Sequence, residues 1–235
     1  MRAMTGTLLA AALLLPASVW AAAGEVSFLE GTATRTPAKG QPIALLAKGT
    51  VEQGDLLETG KAGKLEITLS DKSVVRLGPS SKLKLDQAAF TDTSRSFKAT
   101  LLLGKVWSKV TSVFGEERNF EVRTERAVAG VRGTVFRIDA ESTKAVLVKV
   151  YDGSVAVAGS TAAAAAPAPK KGERVEVPGP SAVDKKQWEK IVGAMMQVKV
   201  SAKGEVAEPT KFSEEDEARD AFAAWNRKRD LASAQ

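Results

Sequence analysis

Gly63-Lys64-Leu65-Glu66-Ile67-Thr68-Leu69-Ser70-Asp71-Lys72-Ser73-Val74-Val75-Arg76-Leu77 alternates apolar and polar residues on both sides of a turn signal. Leu65, Ile67 and Leu69 share one face; Lys64, Glu66, Thr68 and Ser70 share the other. A period of two belongs to an extended chain, whose successive side chains point to opposite sides. The same alternation runs from Glu25 to about Val177: Lys82-Leu83-Lys84-Leu85, Phe120 and Val122 against Glu121 and Arg123, Val146/Val148/Val150, Val155/Val157 and Val175/Val177. Turn signals recur at Gly31, Gly40, Gly54-Asp55, Gly60, Gly78-Pro79, Gly104 and Asp152-Gly153. They fall on the order of ten residues apart, as in all-β sandwiches, barrels and solenoids.

A faint internal repeat accompanies the alternation. The stretch from Leu57 to Ile67 can be laid beside Val122-Arg123-Thr124 and Gly133-Thr134-Val135-Phe136-Arg137-Ile138, and Ser73-Val74-Val75-Arg76-Leu77 beside Val146-Leu147-Val148-Lys149-Val150. The expected fold is all-β: two repeated β subdomains forming a short solenoid or sandwich-like unit, each covering the other's apolar face, followed by two C-terminal helices. Residues 159–171 are rich in alanine and proline and read as a loop insertion, because the β pattern resumes at Gly172-Glu173-Arg174-Val175. After Pro178-Gly179-Pro180 the period changes. Trp188, Ile191, Val192 and Met195 fall at helical spacing, and Ser213 caps a second helix with Glu214–Glu217 in its first turn and Arg227-Lys228-Arg229 near its end. The tail either packs on the β domain or docks on a partner. The expected division is a signal peptide at 1–23, a β domain at 24–178 and a helical tail at 179–235.

The chain has 235 residues, with 34 Lys and Arg against 28 Asp and Glu, a net charge of +6, and neither cysteine nor histidine. Disulfides, thiolate metal sites, cysteine nucleophiles, Ser-His-Asp relays and imidazole bases are thereby excluded. No carboxylate pair sits in an apolar setting that would split two pKa values, and no calcium loop occurs. The sequence therefore predicts no catalytic residue, no cofactor and no bound metal. Residues 1–23 read as a secretory signal peptide: Arg2, the apolar run of residues 8–15, then Ala21-Ala22-Ala23, with cleavage after Ala23 or Ala21. The processed chain is expected to be periplasmic or secreted and not membrane-spanning. That location, with aromatics at only 6%, argues against nucleic acid as a partner.

An ordered series of motifs resembles the FecR-domain family. Val51-x-x-Gly54-Asp55-x-Leu57-x-Thr59-Gly60 is similar to its GD-x-l-x-T-g element. The hairpin from Gly63 to Leu77 resembles its strand–DGS–strand element around Asp71, with Lys72 where the family usually has glycine. Leu103-Gly104-Lys105-Val106 and then Phe120-Glu121-Val122-Arg123-Thr124 through Val131-Arg132-Gly133-Thr134-Val135-Phe136 follow in the family's order. The best-known members are membrane-spanning anti-sigma regulators whose periplasmic β domain receives a signal from an outer-membrane transporter. Here the segment before the β domain reads as a signal peptide, so the resemblance carries over only the periplasmic, protein-binding part. Gly54, Asp55, Thr59, Gly60, Asp71, Thr124, Gly133, Thr134 and Phe136 are the motif residues. Glycine turns and side-chain caps on backbone N–H groups give them a structural reading.

Residues 95–137 are richer in base than acid, and Arg118, Arg123, Arg126 and Arg132 are candidates for a surface that attracts an anionic partner. Trp107 is either core or an exposed anchor. Two functions follow: a non-enzymatic periplasmic module that relays a signal through an envelope protein partner, for instance by strand addition at a sheet edge, or a structural or adhesive module that binds cell-wall or surface polysaccharide.

Overall fold

The structure, a computed structural model, describes residues 22–91, 94–111, 117–160 and 189–232. Eight strands come first: β1 (Gly24–Glu30), β2 (Ala33–Thr36), β3 (Ile43–Ala44), β4 (Thr50–Val51), β5 (Leu56–Thr59), β6 (Lys64–Leu69), β7 (Val74–Leu77) and β8 (Lys82–Phe90). The 16-residue β9 (Ser94–Lys109) follows. Then come β10 (Glu117–Arg123), β11 (Ala127–Val131), β12 (Val135–Ala140), β13 (Val146–Asp152), β14 (Ser154–Gly159), β15 (Glu189–Gly193), β16 (Met196–Val200) and β17 (Thr210–Lys211). Helices α1 (Glu214–Arg219) and α2 (Ala221–Ala232) close the described chain.

The strands form two layers joined through β9. Sheet A runs β4-β1-β6-β7-β9-β12-β13-β16-β17. Sheet B runs β3-β2-β5-β8-β9-β10-β11-β14-β15. The inward residues of both sheets make one apolar cluster, with Leu65, Ile67, Leu77, Val106, Ile138 and Val148 from sheet A and Leu57, Leu83, Phe97, Leu101, Phe120 and Val155 from sheet B. Phe136 and Phe120 meet edge to face across the layers, with ring centroids 6.3 Å apart. The all-β expectation holds, and two short helices close the described chain.

The repeat is explicit in the pairing. β6 and β7 form a hairpin in sheet A while β5 and β8 pair in sheet B. β12 and β13 form the equivalent hairpin in sheet A while β11 and β14 pair in sheet B. The counterpart of β5 is thus β11, not the β10 segment Val122-Arg123-Thr124 that the sequence alignment suggested. The alternation is the same in every strand, so it fixes the faces but not the register of the repeat.

β9 passes from one layer to the other. Phe97, Ala99 and Leu101 point inward from its first half, and Val106 and Ser108 from its second. The inward parity changes between Leu101 and Val106, where Gly104 takes φ +91°. A Cβ at Gly104 would stand 2.6 Å from the Ser81 Cα and collide with the Ser81 Oγ. Only glycine supplies both the left-handed backbone and the close approach.

The tail departs from expectation. The helix expected around Trp188, Ile191, Val192 and Met195 is replaced by β15 and β16, which pair with β14 and β13. Ile191, Val192, Val198 and Val200 are β-branched, and Val192, Val198 and Val200 complete the core. Trp188 lies outside the described residues, as do residues 161–188, which hold the resumed strand and all of the expected loop insertion except Gly159, the last residue of β14, and Ser160. The β unit does not end at residue 178. The single helix expected after Ser213 is two. Ser213 Oγ accepts the Asp216 N–H at 3.1 Å, and Asp220 breaks the run and caps α2 by accepting the N–H groups of Phe222 and Ala223 at 2.9 and 3.0 Å.

Gly104→Ala should destabilise the whole protein by about 2–4 kcal/mol, from left-handed backbone strain plus the clash with Ser81. Urea unfolding followed by circular dichroism measures it; an unchanged midpoint would contradict the role given to this crossing.

Candidate functional site

The motif residues sit at the joints between the layers. The Asp55 carboxylate is buried, accepts the Glu52 N–H at 2.9 Å and pairs with Arg35 at 3.1 Å. Gly54, at φ +92°, donates its N–H to the Leu85 carbonyl. Thr59 Oγ1 donates to the Gly78 carbonyl at 2.6 Å and accepts the Ser81 N–H at 2.9 Å, tying β5 to the β7–β8 connection. Gly60 donates to the Thr32 carbonyl. Asp71 accepts from the Ser73 N–H and hydroxyl and pairs with Arg95 at 2.8 Å. Lys72 has φ +68°, the conformation for which a glycine is the unstrained choice. In the second repeat, Thr124 Oγ1 accepts the N–H groups of Arg126 and Ala127. Gly133 has φ +56°, Thr134 Oγ1 bonds the Arg132 and Ser154 carbonyls, each at 3.0 Å, and Phe136 is fully buried. Thr134 does for the β13–β14 connection what Thr59 does for β7–β8.

The candidate basic surface is spread out. The Arg118 side chain lies outside the described residues. Arg123 pairs with Glu121, and Arg126 pairs with Glu125 at 3.3 Å, beside the Lys144–Glu125 bridge. Arg132 is exposed at the other end of β11 from Arg126. Arg123 lies at the same end as Arg126, so Arg123 and Arg132 stand roughly 13 Å apart along the strands. Two other cations of the basic stretch, Arg95 and Arg137, are buried.

Sequence reasoning missed a different cluster. On the outer face of sheet A, pairing places Glu66 beside Arg76, Arg76 beside Trp107, Trp107 beside Arg137 and Arg137 beside Lys149. Phe28 of β1 extends the row past Glu66. Period-two alternation made these side chains look solvated. Instead Arg76, Trp107 and Arg137 are at most 2% exposed, because α1 and α2 lie across them. Trp107 is buried, but beneath the tail and not between the sheets: it packs with Phe222 and Ala223.

Each charge in the row has its partner in the tail. Glu66 accepts from Arg76 Nε at 2.6 Å, Ser27 Oγ at 2.7 Å, and Arg229 Nε and Nη2 at 2.7 and 2.9 Å. Asp230 accepts from Arg76 Nη1 at 2.7 Å and from Trp107 Nε1 at 3.1 Å. Arg137 Nη2 meets Asp220 at 2.9 Å and also holds Asp139. Lys149 and Tyr151 both donate to Glu217, which is fully buried. Aromatic rings line the same layer, with Trp107 4.2 Å from Tyr151 and Arg229 4.2 Å above Phe28. The legible signal for this arrangement was a tryptophan on the outward parity of a strand whose outward neighbours are charged.

The electrostatics follow from these partners. Burial works to raise the Glu66 pKa, but the bonds from Arg229, Ser27 and Arg76 outweigh it and bring it from 4.5 to about 2. Burial likewise opposes Asp220, and the Arg137 bond, the Ala223 N–H and the Lys105 charge bring it from 3.8 to about 2. Burial and then the Glu217 carboxylate push the Tyr151 phenol upward, so it stays a donor. Carboxylates with depressed folded-state pKa values stabilise the fold above their ordinary pKa and lose that contribution as they protonate. Docking of the tail should therefore weaken as pH falls from about 4.5 towards 2, read as a change in the fluorescence of Trp107 and Trp225. Glu66→Gln should lower stability at pH 7, by leaving Arg76 short of a charge partner, and flatten that acid slope. An acid profile identical to that of the parent chain would contradict the assignment.

Among the described residues no helix is long and apolar enough to cross a membrane, and no group of three acidic side chains is placed to hold a metal ion. A comparison with curated proteins finds no match. Two crystal structures of a candidate anti-sigma factor from Parabacteroides distasonis ATCC 8503 are similar to this chain. One is 18% identical, with a TM-score of 0.47 over 68% of this chain and 61% of that one. The other is 18% identical, with a TM-score of 0.49 over 71% and 64%. The chain thus spans less than two thirds of the length of either. A structure described as a cell surface anchoring domain is 28% identical over 26% of this chain and 80% of its own, with a TM-score of 0.25. A family model described as FecR protein matches residues 55–156, from the turn at Asp55 through both layer-crossing hairpins into β14. This chain carries a FecR domain over residues 55–156.

Proposed function

We propose that this protein is an exported, non-enzymatic FecR-domain module that relays an envelope signal through protein contacts. The observation that carries the reading is the fate of the motif's polar side chains. Asp55, Thr59, Asp71, Thr124 and Thr134 all hold backbone or side-chain partners inside the fold. The surface elements then available for contact are strand edges and the tail. β15 ends sheet B and, among the described strands, pairs only with β14, and Ile191 on it is 64% exposed. An edge of this kind accepts a partner's strand. Binding of an anionic polysaccharide would draw on gathered, unneutralised cations, whereas Arg123 and Arg126 each face a glutamate.

The bonding of Ala22 and Ala23 favours one of the two processing sites. The Ala22 carbonyl accepts the Ser70 hydroxyl at 2.9 Å, and Ala23 is buried with its N–H on the Val51 carbonyl at 2.8 Å. Cleavage after Ala21 keeps both residues bonded to sheet A; cleavage after Ala23 discards them. The intact mass of the exported protein should correspond to a chain beginning at Ala22, and a chain beginning at Gly24 would contradict this.

Affinity capture from envelope extract with that exported chain tests the function. A discrete protein retained at high salt is expected, since strand pairing depends little on ionic strength. Glycan retained only at low salt would overturn the relay reading in favour of surface-polymer binding.

A further inference from the structure

We propose that the outer face of sheet A is an exchangeable helix-docking surface, held by α1 and α2 in the free protein and taken over by a partner's helix that carries carboxylates over Arg76, Arg137 and Lys149 and an aromatic residue between them. The inference rests on the relay reading, which it deepens by naming a surface and the chemistry of its partner.

Three features of the contact point to exchange. The tail is placed by charge: Asp230 on Arg76, Asp220 on Arg137, and Glu217 on Lys149. Its apolar share is small: Phe222 and Ala223 are buried, and Trp225 is half-buried against Phe28. The fit is also incomplete. A cleft of about 370 Å³ opens between α2 and the sheet at Trp107, Val135, Tyr151, Met195 and Leu231, and Leu231 stays 72% exposed. Finally, the face tolerates uncovering. Glu66, Arg76, Arg137 and Lys149 recover hydration when the tail leaves, so charged groups alternate with the Phe28, Trp107 and Tyr151 rings on the open face.

The row also sets the direction of the incoming helix. Lys149, Arg137 and Arg76 ask for carboxylates, and Glu66 at the far end asks for a cation, as Arg229 now supplies. A helix with acidic residues towards its N-terminus and a basic one near its C-terminus satisfies both this order and its own dipole. Trp107, between Arg76 and Arg137, is the apolar anchor for the partner's aromatic residue.

The test uses the exported chain and a fluorescein-labelled peptide of residues 213–232. The variant Glu217→Gln/Asp230→Asn weakens the chain's own tail and leaves the sheet face intact. The peptide should bind this variant about tenfold or more tighter than the parent chain, where the tail competes. Amide exchange should rise in α2 while β6, β7 and β9 stay protected. A peptide with Asp220→Asn and Phe222→Ala should not bind. Equal binding to parent and variant, or an α2 that stays as protected in both, would overturn the proposal. If the double variant loses protection in β9, Asp230→Asn alone is read in its place, with the same expected direction. A concentration-dependent dimer of the parent chain would put a second copy's tail on the face and overturn the foreign partner. No envelope protein enters this assay, so the two readings fail separately. Peptide exchange with an empty affinity capture would sink the relay reading alone. Capture of one protein equally by parent and variant would sink exchange alone.

Discussion

The crossing of β9 between layers at Gly104 is the constraint on which the rest of the molecule depends. One strand serves as a shared member of both sheets: β8 and β10 pair with its first half, β7 and β12 with its second. The two repeats therefore have no interface that could be lost without unpairing β9 itself. A strand that changes sheets must also change which parity faces inward, and that needs a local break in the alternation. Gly104, pressed against Ser81, provides it. The threonine bonds at Thr59 and Thr134 repeat the same logic at smaller scale, fixing each hairpin where it returns from one layer to the other.

The register that this crossing imposes also builds the charged row. Once Arg76 and Arg137 pair on either side of Trp107, their guanidinium groups share one outer face and cannot avoid each other's field. Glu66 and Asp139 offset part of it within the sheet. The tail brings Glu217, Asp220 and Asp230 to the remainder. A buried ion pair seldom adds much net stability, because desolvation costs nearly as much as the attraction returns. Its effect is on specificity: only a helix with carboxylates at the right places can cover these cations without leaving one unpaired.

Much of the fold was legible because alternation is a direct record of a half-buried strand. Leu65/Ile67/Leu69 and Val146/Val148/Val150 point where the period places them, and Ser213 caps where the pattern said. The failures have physical causes. Ile191, Val192 and Met195 fit a helical period over one turn, yet the edges of β13 and β14 had unmet backbone groups and β-branched residues fill that need better. Arg95 and Arg137 counted as surface cations from composition, although each has a carboxylate close enough to make burial tolerable, Asp71 for one and Asp139 with Asp220 for the other. The charged row was illegible for a deeper reason. Alternation tells that a residue faces outward from its sheet; it carries no information on whether another segment then covers it.

That gap bears on function. The motif residues of a FecR domain are the most recognisable part of the sequence, and they are the least available to a partner, since they are committed to turns and crossings. The surface that remains lies in the elements the motifs do not specify. Here those are the edge strand β15 and the face under α1 and α2. Both lie at residue numbers beyond 156 or depend on residues there, outside the segment shared with the family. The crossing of β9 holds the two sheets in register. The tail, through Glu217, Asp220 and Asp230, covers the outer face of one of them.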